Sequence, residues 1–141
     1  AALDGRPGVL SARYAGADAR DEDNVRKLLD ELAGVTDRAA RFACCLCLVL
    51  PGDRGAQDGA EHGRGCRQGR GGRRLVEVTG FTHGTITTQP RGVDGFGYDP
   101  VFQPDGWDLT LAEASPEDKD GVSHRGAAAR ALLQRLAAEE T

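Results

Sequence analysis

The chain has 141 residues, a net charge of −4 and 20 glycines, and it contains no methionine. This length suits one domain of ordinary size. The acidic balance argues against a protein that binds nucleic acid or a membrane surface as a whole, and no run reaches the roughly 18 apolar residues of a membrane span. The first residues also lack the basic start and apolar stretch of a signal peptide. Because a translated reading frame begins with Met, we expect that Ala1 is not the natural start.

The first predicted helix covers residues 21–33. Its apolar residues recur at the spacing of one buried helical stripe and are Val25, Leu28, Leu29 and Leu32. Asp21 or Asp23 can cap its N-terminus, and Gly34 can end it. Residues 39–50 predict a strand that is apolar on both faces. We therefore expect this strand to be central in a sheet and covered on both sides.

Residues 52–74 have a composition of their own, with eight Gly, six Arg and only three apolar residues. Such a segment buries too little surface to offset the entropy of ordering it, so a mobile Gly/Arg-rich loop is predicted here. An Arg/Gly-rich run can also bind RNA. That alternative is the weaker one, because no aromatic residues are interleaved with the arginines.

The cysteines predict neither disulfides nor a zinc site. Cys44, Cys45 and Cys47 lie within one apolar run, where neighbours on opposite faces of a strand cannot easily bridge, and paired metal-ligand spacing is absent. We expect reduced thiols that act as small core residues. Reduced thiols indicate a reducing, cytoplasmic setting.

The second half of the chain alternates strands and helices. Two short strands, 75–79 and 85–88, are predicted with a hairpin turn at 80–84 between them. Ser115 followed by Pro116 and two acids predicts a short helix that Gly121 limits, and the last helix is predicted over residues 123–140. Helices that flank a mostly central sheet predict an α/β or α+β fold.

Residues 90–100 form the first cluster in which chemistry could reside. Gly95 and Gly97 flank Phe96, so the backbone there can approach a flat ligand while the ring offers a stacking face. Pro100 holds Asp99 in an extended geometry. The alternative is a glycine turn that leads into a strand, with its aromatic rings in the core. On the pattern alone, that alternative is favoured.

The second cluster precedes the last helix and consists of Lys119 and Ser123-His124-Arg125. A helix N-terminus attracts anions, and the two cations add positive charge for a phosphate or a keto oxygen. His124 could donate to the edge of a base. The alternative is a capping Ser beside a solvated His-Arg pair, and taken alone it is the better interpretation. The sequence pattern indicates no carboxylate pair, Ser-His-Asp arrangement or metal-ligand cluster.

Five blocks of residues, taken in order, resemble the inosine triphosphate pyrophosphatase family. They are residues 7–16, Asn24 with Lys27-Leu28-Leu29, Arg41-Phe42 with Cys44, residues 90–100, and Thr110 with Ala112-Glu113, Glu117, Lys119 and Ser123-His124-Arg125. The blocks cover almost all of the chain outside residues 52–74. Each block is weak alone, and it is their number and order that carry the resemblance.

The resemblance implies a Mg²⁺-dependent hydrolysis of noncanonical purine nucleoside triphosphates (dITP, ITP or XTP) to the monophosphate and pyrophosphate. It implies an α/β fold with an elongated mixed sheet, flanking helices and a nucleotide cleft between two lobes, and usually a homodimer. It assigns substrate binding to seven residues. Phe96 would stack on the purine, Gly97, Tyr98 and Asp99 would shape the base pocket, Lys119 would approach the nucleotide, and His124 and Arg125 would read the 6-keto group.

Three features of the family pattern are not in this sequence: a phosphate-gripping T/S-x-N-x-x-K loop, a metal-binding Glu, and an Asp-Asp-Ser-Gly segment with the general base. The resemblance places them before Ala1. It therefore implies one incomplete domain over residues 1–141, with no catalytic residue and no metal ligand in this chain. The alternative function is an inactive nucleotide-binding fragment. A related pyrophosphatase of modified pyrimidines fits less well, because its motifs lack Ser-His-Arg before a last helix.

Overall fold

The computed structural model describes residues 2–51, 66–69 and 73–139. The chain divides into two compact units, and each unit draws on two separate stretches of sequence. The first unit is Ala1–Arg41 with His83–Val122, and the second is Phe42–Thr82 with Ser123–Thr141. A single domain over the whole chain stays a prediction.

Helix α1 of the first unit spans Asp21–Glu31, which confirms the predicted helix with an end two residues earlier. Asp23 caps the N-terminus of α1, because its Oδ2 accepts the Arg20 N–H at 3.1 Å. Gly34 follows the helix with a φ of +73°, a left-handed conformation that suits glycine after a helix end. Three residues of the predicted stripe are buried: Val25, Leu28 and Leu32.

A short 3₁₀ helix, Gly8–Arg13, precedes α1 and lies against it. The buried Asn24 side chain accepts the Ala15 N–H at 2.8 Å and donates to the Ala12 carbonyl at 3.1 Å. Lys27 Nζ donates to the Tyr14 carbonyl at 2.9 Å. Asn24 and Lys27, which are part of the second motif block, therefore fasten the N-terminal segment to α1.

The sheet consists of strands β1 (Ala39–Pro51), β2 (Cys66–Gly69), β3 (Arg73–Ile86) and β4 (Phe102–Pro104). Within the described ranges the strand order is β1-β3-β2, and β4 also pairs with β3. The β2–β3 and β3–β4 pairings are antiparallel. The parallel pairing that a mixed sheet requires stays a prediction.

The predicted hairpin turn at residues 80–84 is wrong, because β3 runs without interruption from Arg73 to Ile86. Gly80 is a site of close packing and not a turn. A Cβ atom at Gly80 would lie 2.2 Å from the backbone nitrogen of Ala128, which belongs to helix α3 (His124–Glu139). Glycine inside a strand often marks such a close approach of a second backbone.

The prediction that the 39–50 strand is covered on both sides is also wrong. Side chains of β1 alternate between exposed and half-buried, and β1 lies at one end of the described strand order. The side chains of Cys45 and Cys47 lie on the exposed face of β1. The core position predicted for these two thiols is therefore wrong as well. A continuous apolar run is compatible with a strand that is covered on one face only, and composition does not distinguish the two cases.

The loop predicted over residues 52–74 is wrong at both of its described parts. Residues 66–69 form β2, and β3 already begins at Arg73. In the β2–β3 register, Cys66 lies opposite Val76 and Gly69 opposite Arg73. Main-chain hydrogen bonds to a neighbouring strand stabilise this segment where buried side chains could not. Residues 52–65 and 70–72 of the predicted loop lie outside the described residues.

Helix α2 (Pro116–Val122) starts as predicted, with the Asp118 N–H donating to Ser115 Oγ at 3.1 Å. It continues one residue beyond Gly121, where the prediction ended it. Helix α3 confirms the predicted last helix. Helices beside a sheet confirm the α/β class, while the cleft between two lobes stays a prediction. None of the described helices has the length and apolarity that crossing a membrane requires.

Candidate functional site

The loop Phe96–Asp99 presents one aromatic ring from an anchored backbone. The Phe96 side chain is 62% exposed, whereas Tyr98 and Asp99 are buried. Gly97 has a φ of +60°, and a short 3₁₀ turn, Asp99–Val101, follows. The extended geometry predicted for Asp99 from Pro100 is therefore wrong. An exposed ring followed by two buried, anchored residues is an arrangement that suits a stacking surface.

Lys119 reaches this loop from α2. Its Nζ lies 3.1 Å from Asp99 Oδ2, and both side chains are mostly buried. The same carboxylate oxygen accepts the Phe96 N–H at 3.3 Å. Asp99 therefore joins the backbone of the exposed ring to the predicted nucleotide-binding lysine.

The lack of a side chain at Gly95 leaves room for the Asp99–Lys119 ion pair. Gly95 has a φ of +94°, and a Cβ atom there would lie 2.3 Å from Asp99 Oδ2 and 2.8 Å from Lys119 Nζ. A side chain at this position would force the ion pair apart. Glycine is thus required both by the backbone conformation and by the pair.

Tyr98 anchors the loop on the side of the N-terminal 3₁₀ helix. Its hydroxyl donates to the Ser11 carbonyl at 2.8 Å. Burial, followed by repulsion from a Tyr14 phenolate and from the Asp21 carboxylate, raises the pKa of Tyr98 to about 12. The hydroxyl is therefore neutral near pH 7 and available as a donor.

Asp21, the first residue of α1, is a contact of this loop that the sequence did not indicate. Its Oδ2 accepts the Gly97 N–H at 2.7 Å, across 76 positions of sequence. The local sequence pattern predicts only a helix-capping role for Asp21. No local pattern could have revealed a partner so distant along the chain.

A groove of about 440 Å³ lies between α1 and the 90–100 segment, beside the Phe96 ring. Four carboxylates and one guanidinium line it: Asp21, Glu22, Asp30, Asp94 and Arg26. This charge repels a triphosphate.

Hydrogen bonds connect three residues of the family blocks near the loop: Arg91, Thr110 and Glu113. Thr110 Oγ1 donates to the Arg91 carbonyl at 3.0 Å, and Glu113 Oε2 accepts the Thr110 N–H at 2.8 Å. That backbone hydrogen bond, with the nearby Arg91 charge, keeps the pKa of Glu113 below its usual value. These residues of the family blocks serve as framework for the loop.

His124 and Arg125 are the first two residues of α3 and belong to the second unit. The His124 ring stacks on Phe42, with 5.0 Å between ring centroids and an angle of 16° between the planes. Ser123 caps the helix, because its Oγ accepts the Gly126 N–H at 3.3 Å. The capping interpretation of Ser123 is confirmed, while the base-reading roles of His124 and Arg125 stay predictions.

Among residues 2–51, 66–69 and 73–139, no group of three or more His, Cys, Asp or Glu side chains is arranged to hold a metal ion. The sequence-based assignment of metal ligands to a segment outside this chain stays a prediction.

Comparisons with known proteins agree with the sequence resemblance. The chain is 46% identical over 134 residues to a dITP/XTP pyrophosphatase of Syntrophobacter fumaroxidans, a match that covers 95% of the chain and 48% of the relative. It is 45% identical over 139 residues to a dITP/XTP pyrophosphatase of Nocardia farcinica, covering 97% of the chain and 58% of the relative. The chain thus spans about half the length of these curated relatives.

The solved structure of the Staphylococcus aureus Ham1 protein superposes with a TM-score of 0.76 at 36% identity, over 99% of this chain and 62% of that one. A HAM1 protein from Coxiella burnetii gives the same TM-score at 33% identity, over 96% and 61%. A sequence model of the Ham1 family matches residues 1–135. Sequence, fold and motif order agree, and the chain belongs to the Ham1 family.

Proposed function

We propose that the protein hydrolyses noncanonical purine nucleoside triphosphates (dITP, ITP or XTP) to the monophosphate and pyrophosphate, and that this chain supplies the recognition of the base. The observation that carries the proposal is the exposed Phe96 ring, whose backbone is bonded to the Asp99–Lys119 ion pair. The printed names of the relatives, dITP/XTP pyrophosphatases, support the substrate class. Removing such nucleotides cleanses the nucleotide pool.

Each recognition residue has a chemical task in this proposal. Phe96 stacks on the purine, and Gly97, Tyr98 and Asp99 fix the shape of the pocket. Lys119 places a positive charge near the phosphates, with Asp99 holding its ammonium group. Water attacks the α-phosphorus, and pyrophosphate leaves with the bonding electrons of the broken P–O bond.

His124 and Arg125 donate hydrogen bonds to the 6-keto oxygen in the proposal. Adenine presents an amino group at that position, so a donor would face a donor. An unsatisfied buried donor costs about 1–3 kcal/mol, which corresponds to roughly 5- to 150-fold in kcat/KM. Discrimination against dATP then needs no separate editing site.

Mg²⁺ is the cofactor that the family resemblance implies. The resemblance places its protein ligand in a segment before Ala1, so no step is assigned to the metal in this chain. The chain's own residues bind and orient the nucleotide.

The test compares pyrophosphate release from dITP and dATP, with Mg²⁺ present. It uses the chain extended at its N-terminus by the segment that the resemblance places before Ala1. We expect dITP to be preferred by roughly 5- to 150-fold in kcat/KM, because only the keto group accepts from His124 and Arg125. Replacing Arg125 with Ala should reduce that preference. Arg130→Ala, an exposed arginine on the same helix, is the matched control and should preserve it.

Equal rates on dITP and dATP would contradict the proposed specificity. An unchanged preference in both His124→Ala and Arg125→Ala would contradict the roles assigned to these two residues.

The second candidate function is nucleotide binding without catalysis by the 141-residue chain alone. Three parts of the family pattern that are not in this sequence favour it: the phosphate-gripping loop, the metal-binding Glu and the segment with the general base. Calorimetry with IMP and a pyrophosphate assay with dITP on the 141-residue chain test this second function. Binding of IMP without release of pyrophosphate supports it, and release of pyrophosphate by this chain would contradict it.

The remaining proposals concern partners and setting. We propose a homodimer on the basis of the family resemblance, and no nucleic-acid partner because of the net charge of −4. Free thiols at Cys44, Cys45 and Cys47 support a reducing, cytoplasmic compartment.

A further inference from the structure

The Phe96–Asp99 loop is fastened to three different elements of the first unit. The Tyr98 hydroxyl donates to the N-terminal 3₁₀ helix at Ser11, and Asp99 pairs with Lys119 of α2. The third fastening is the hydrogen bond from the Gly97 N–H to Asp21 Oδ2 of α1, at 2.7 Å. Asp21 lies outside the residues to which the sequence assigned substrate binding.

The bond to Asp21 is the one that acts on the peptide next to the exposed ring. The Gly97 N–H belongs to the planar peptide unit that joins Phe96 to Gly97. The Phe96 Cα atom, which carries the ring, is one end of this planar unit, so a bond that holds the unit against α1 also restrains the position from which the ring projects. Glycine at position 97 tolerates many values of φ, so its own sterics leave the plane free to rotate.

A carboxylate is well suited to hold this plane. Hydrogen bonds to an ionised acceptor are shorter and stronger than neutral ones, and 2.7 Å is typical of such a bond. Asp21 is also the first residue of α1, so the helix fixes its backbone, and a negative charge is favourable at that end. The carboxylate thus couples the loop to a rigid element.

We infer that Asp21 is a positioning residue that fixes the orientation of the Phe96 ring through the Gly97 peptide. The inference rests on the proposed function, in which Phe96 stacks on the purine. Loss of the carboxylate leaves the groups that contact the phosphates in place. Nucleotide binding should therefore weaken, with KM raised and kcat unchanged.

The experiment compares Asp21→Ala, Asp21→Asn and the control Glu22→Ala. Glu22 carries the same charge in the same helical turn and lines the same groove. Asn retains a side-chain oxygen that can accept the Gly97 N–H. Hydrogen exchange of the Gly97 amide is followed by NMR without ligand, and IMP affinity is measured by calorimetry.

We expect Asp21→Ala to speed exchange at Gly97 and to weaken IMP binding about tenfold, which corresponds to roughly 1.4 kcal/mol for a bond to a charged acceptor. Asp21→Asn should recover most of both properties, and Glu22→Ala should leave both unchanged. The recovery by Asn separates the hydrogen bond from a general effect of charge.

Unchanged exchange at Gly97 in Asp21→Ala would overturn the inference, as would faster exchange with unchanged IMP affinity. An equal loss in Glu22→Ala would also overturn it. If the unaltered chain bound no IMP, the proposed function would fall and the role of Asp21 with it. The first three outcomes leave the proposed function standing, so the two failures are distinguishable.

Discussion

A methyl group at Gly95 would meet both members of the ion pair beside the exposed ring. The collision is with side-chain ends, so it can be relieved if Asp99 and Lys119 separate. The consequence should therefore appear at the site more than in the stability of the fold. Of the glycines with positive φ in the described residues, Gly95 is the one whose absent side chain makes room for this pair.

We expect Gly95→Ala to weaken IMP binding about tenfold, since separating the pair releases the Lys119 ammonium from its place. Gly106→Ala is the matched control. Gly106 has a similar φ of +78°, and among the described residues beyond its chain neighbours no atom lies within 4 Å of the added methyl group. Calorimetry on both variants measures the difference, and equal affinities would contradict the role of Gly95.

Tyr98 gives the stability of the fold a dependence on alkaline pH. Its pKa in the folded chain is raised to about 12 from the ordinary value of 10, because burial disfavours the phenolate. A pKa raised by folding contributes stability below the unfolded pKa, and this contribution is lost as the pH rises from 10 towards 12. Tyr14, which donates to Glu31, behaves in the same direction.

We expect the urea midpoint of the chain to fall between pH 9 and pH 11, and to fall less in Tyr98→Phe. The Phe variant also loses the hydrogen bond to Ser11, which lowers its midpoint at both pH values. The informative quantity is therefore, for each protein, the difference between its urea midpoint at pH 9 and its urea midpoint at pH 11. The same pH-dependent fall in both proteins would contradict the assignment to Tyr98.

At the scale of elements, α1 and α3 were predictable because a helix is specified by neighbours along the chain. The stripe of α1, its acidic first turn and the glycine after it all act within four residues of each other. The Ser123 cap of α3 is equally local. The strands were predicted less well, since their partners lie far away in sequence.

Gly80 shows how a local pattern can indicate the wrong element. Glycine between two apolar segments is typical of a turn, but the same residue inside a strand admits a second backbone. Here α3 passes so close to β3 that a Cβ would lie 2.3 Å from the His124 carbonyl oxygen. Only the packed structure distinguishes these two uses.

We expect Gly80→Ala to lower the free energy of unfolding by about 1–3 kcal/mol, because backbone atoms of α3 must move to admit the methyl group. Gly121→Ala is the control, since Gly121 lies in α2 with open space around its Cα. This control should be neutral or stabilising by up to about 1 kcal/mol. Urea denaturation compares the two, and a loss in Gly80→Ala no larger than in the control would contradict the packing argument.

At the scale of the whole molecule, the order of the motif blocks predicted the family, and the Ham1 match over residues 1–135 confirms it. Five short blocks in order identify a family because each constrains the others. The relatives in turn are longer, and the chain spans 48% and 58% of the two curated ones described above. The activity of the whole protein is accordingly a proposal that the N-terminally extended chain can test.

The sequence by itself determined the helices, their caps, the aromatic-glycine loop and the family, because these depend on residues that are close along the chain. Only the tertiary structure decided which partners meet across long separations: Asp21 with Gly97, Ser11 with Tyr98, and Phe42 with His124. It also decided which face of β1 is exposed. The physical reason is that local propensity fixes backbone conformation, whereas long-range contacts depend on how all the apolar faces pack at once.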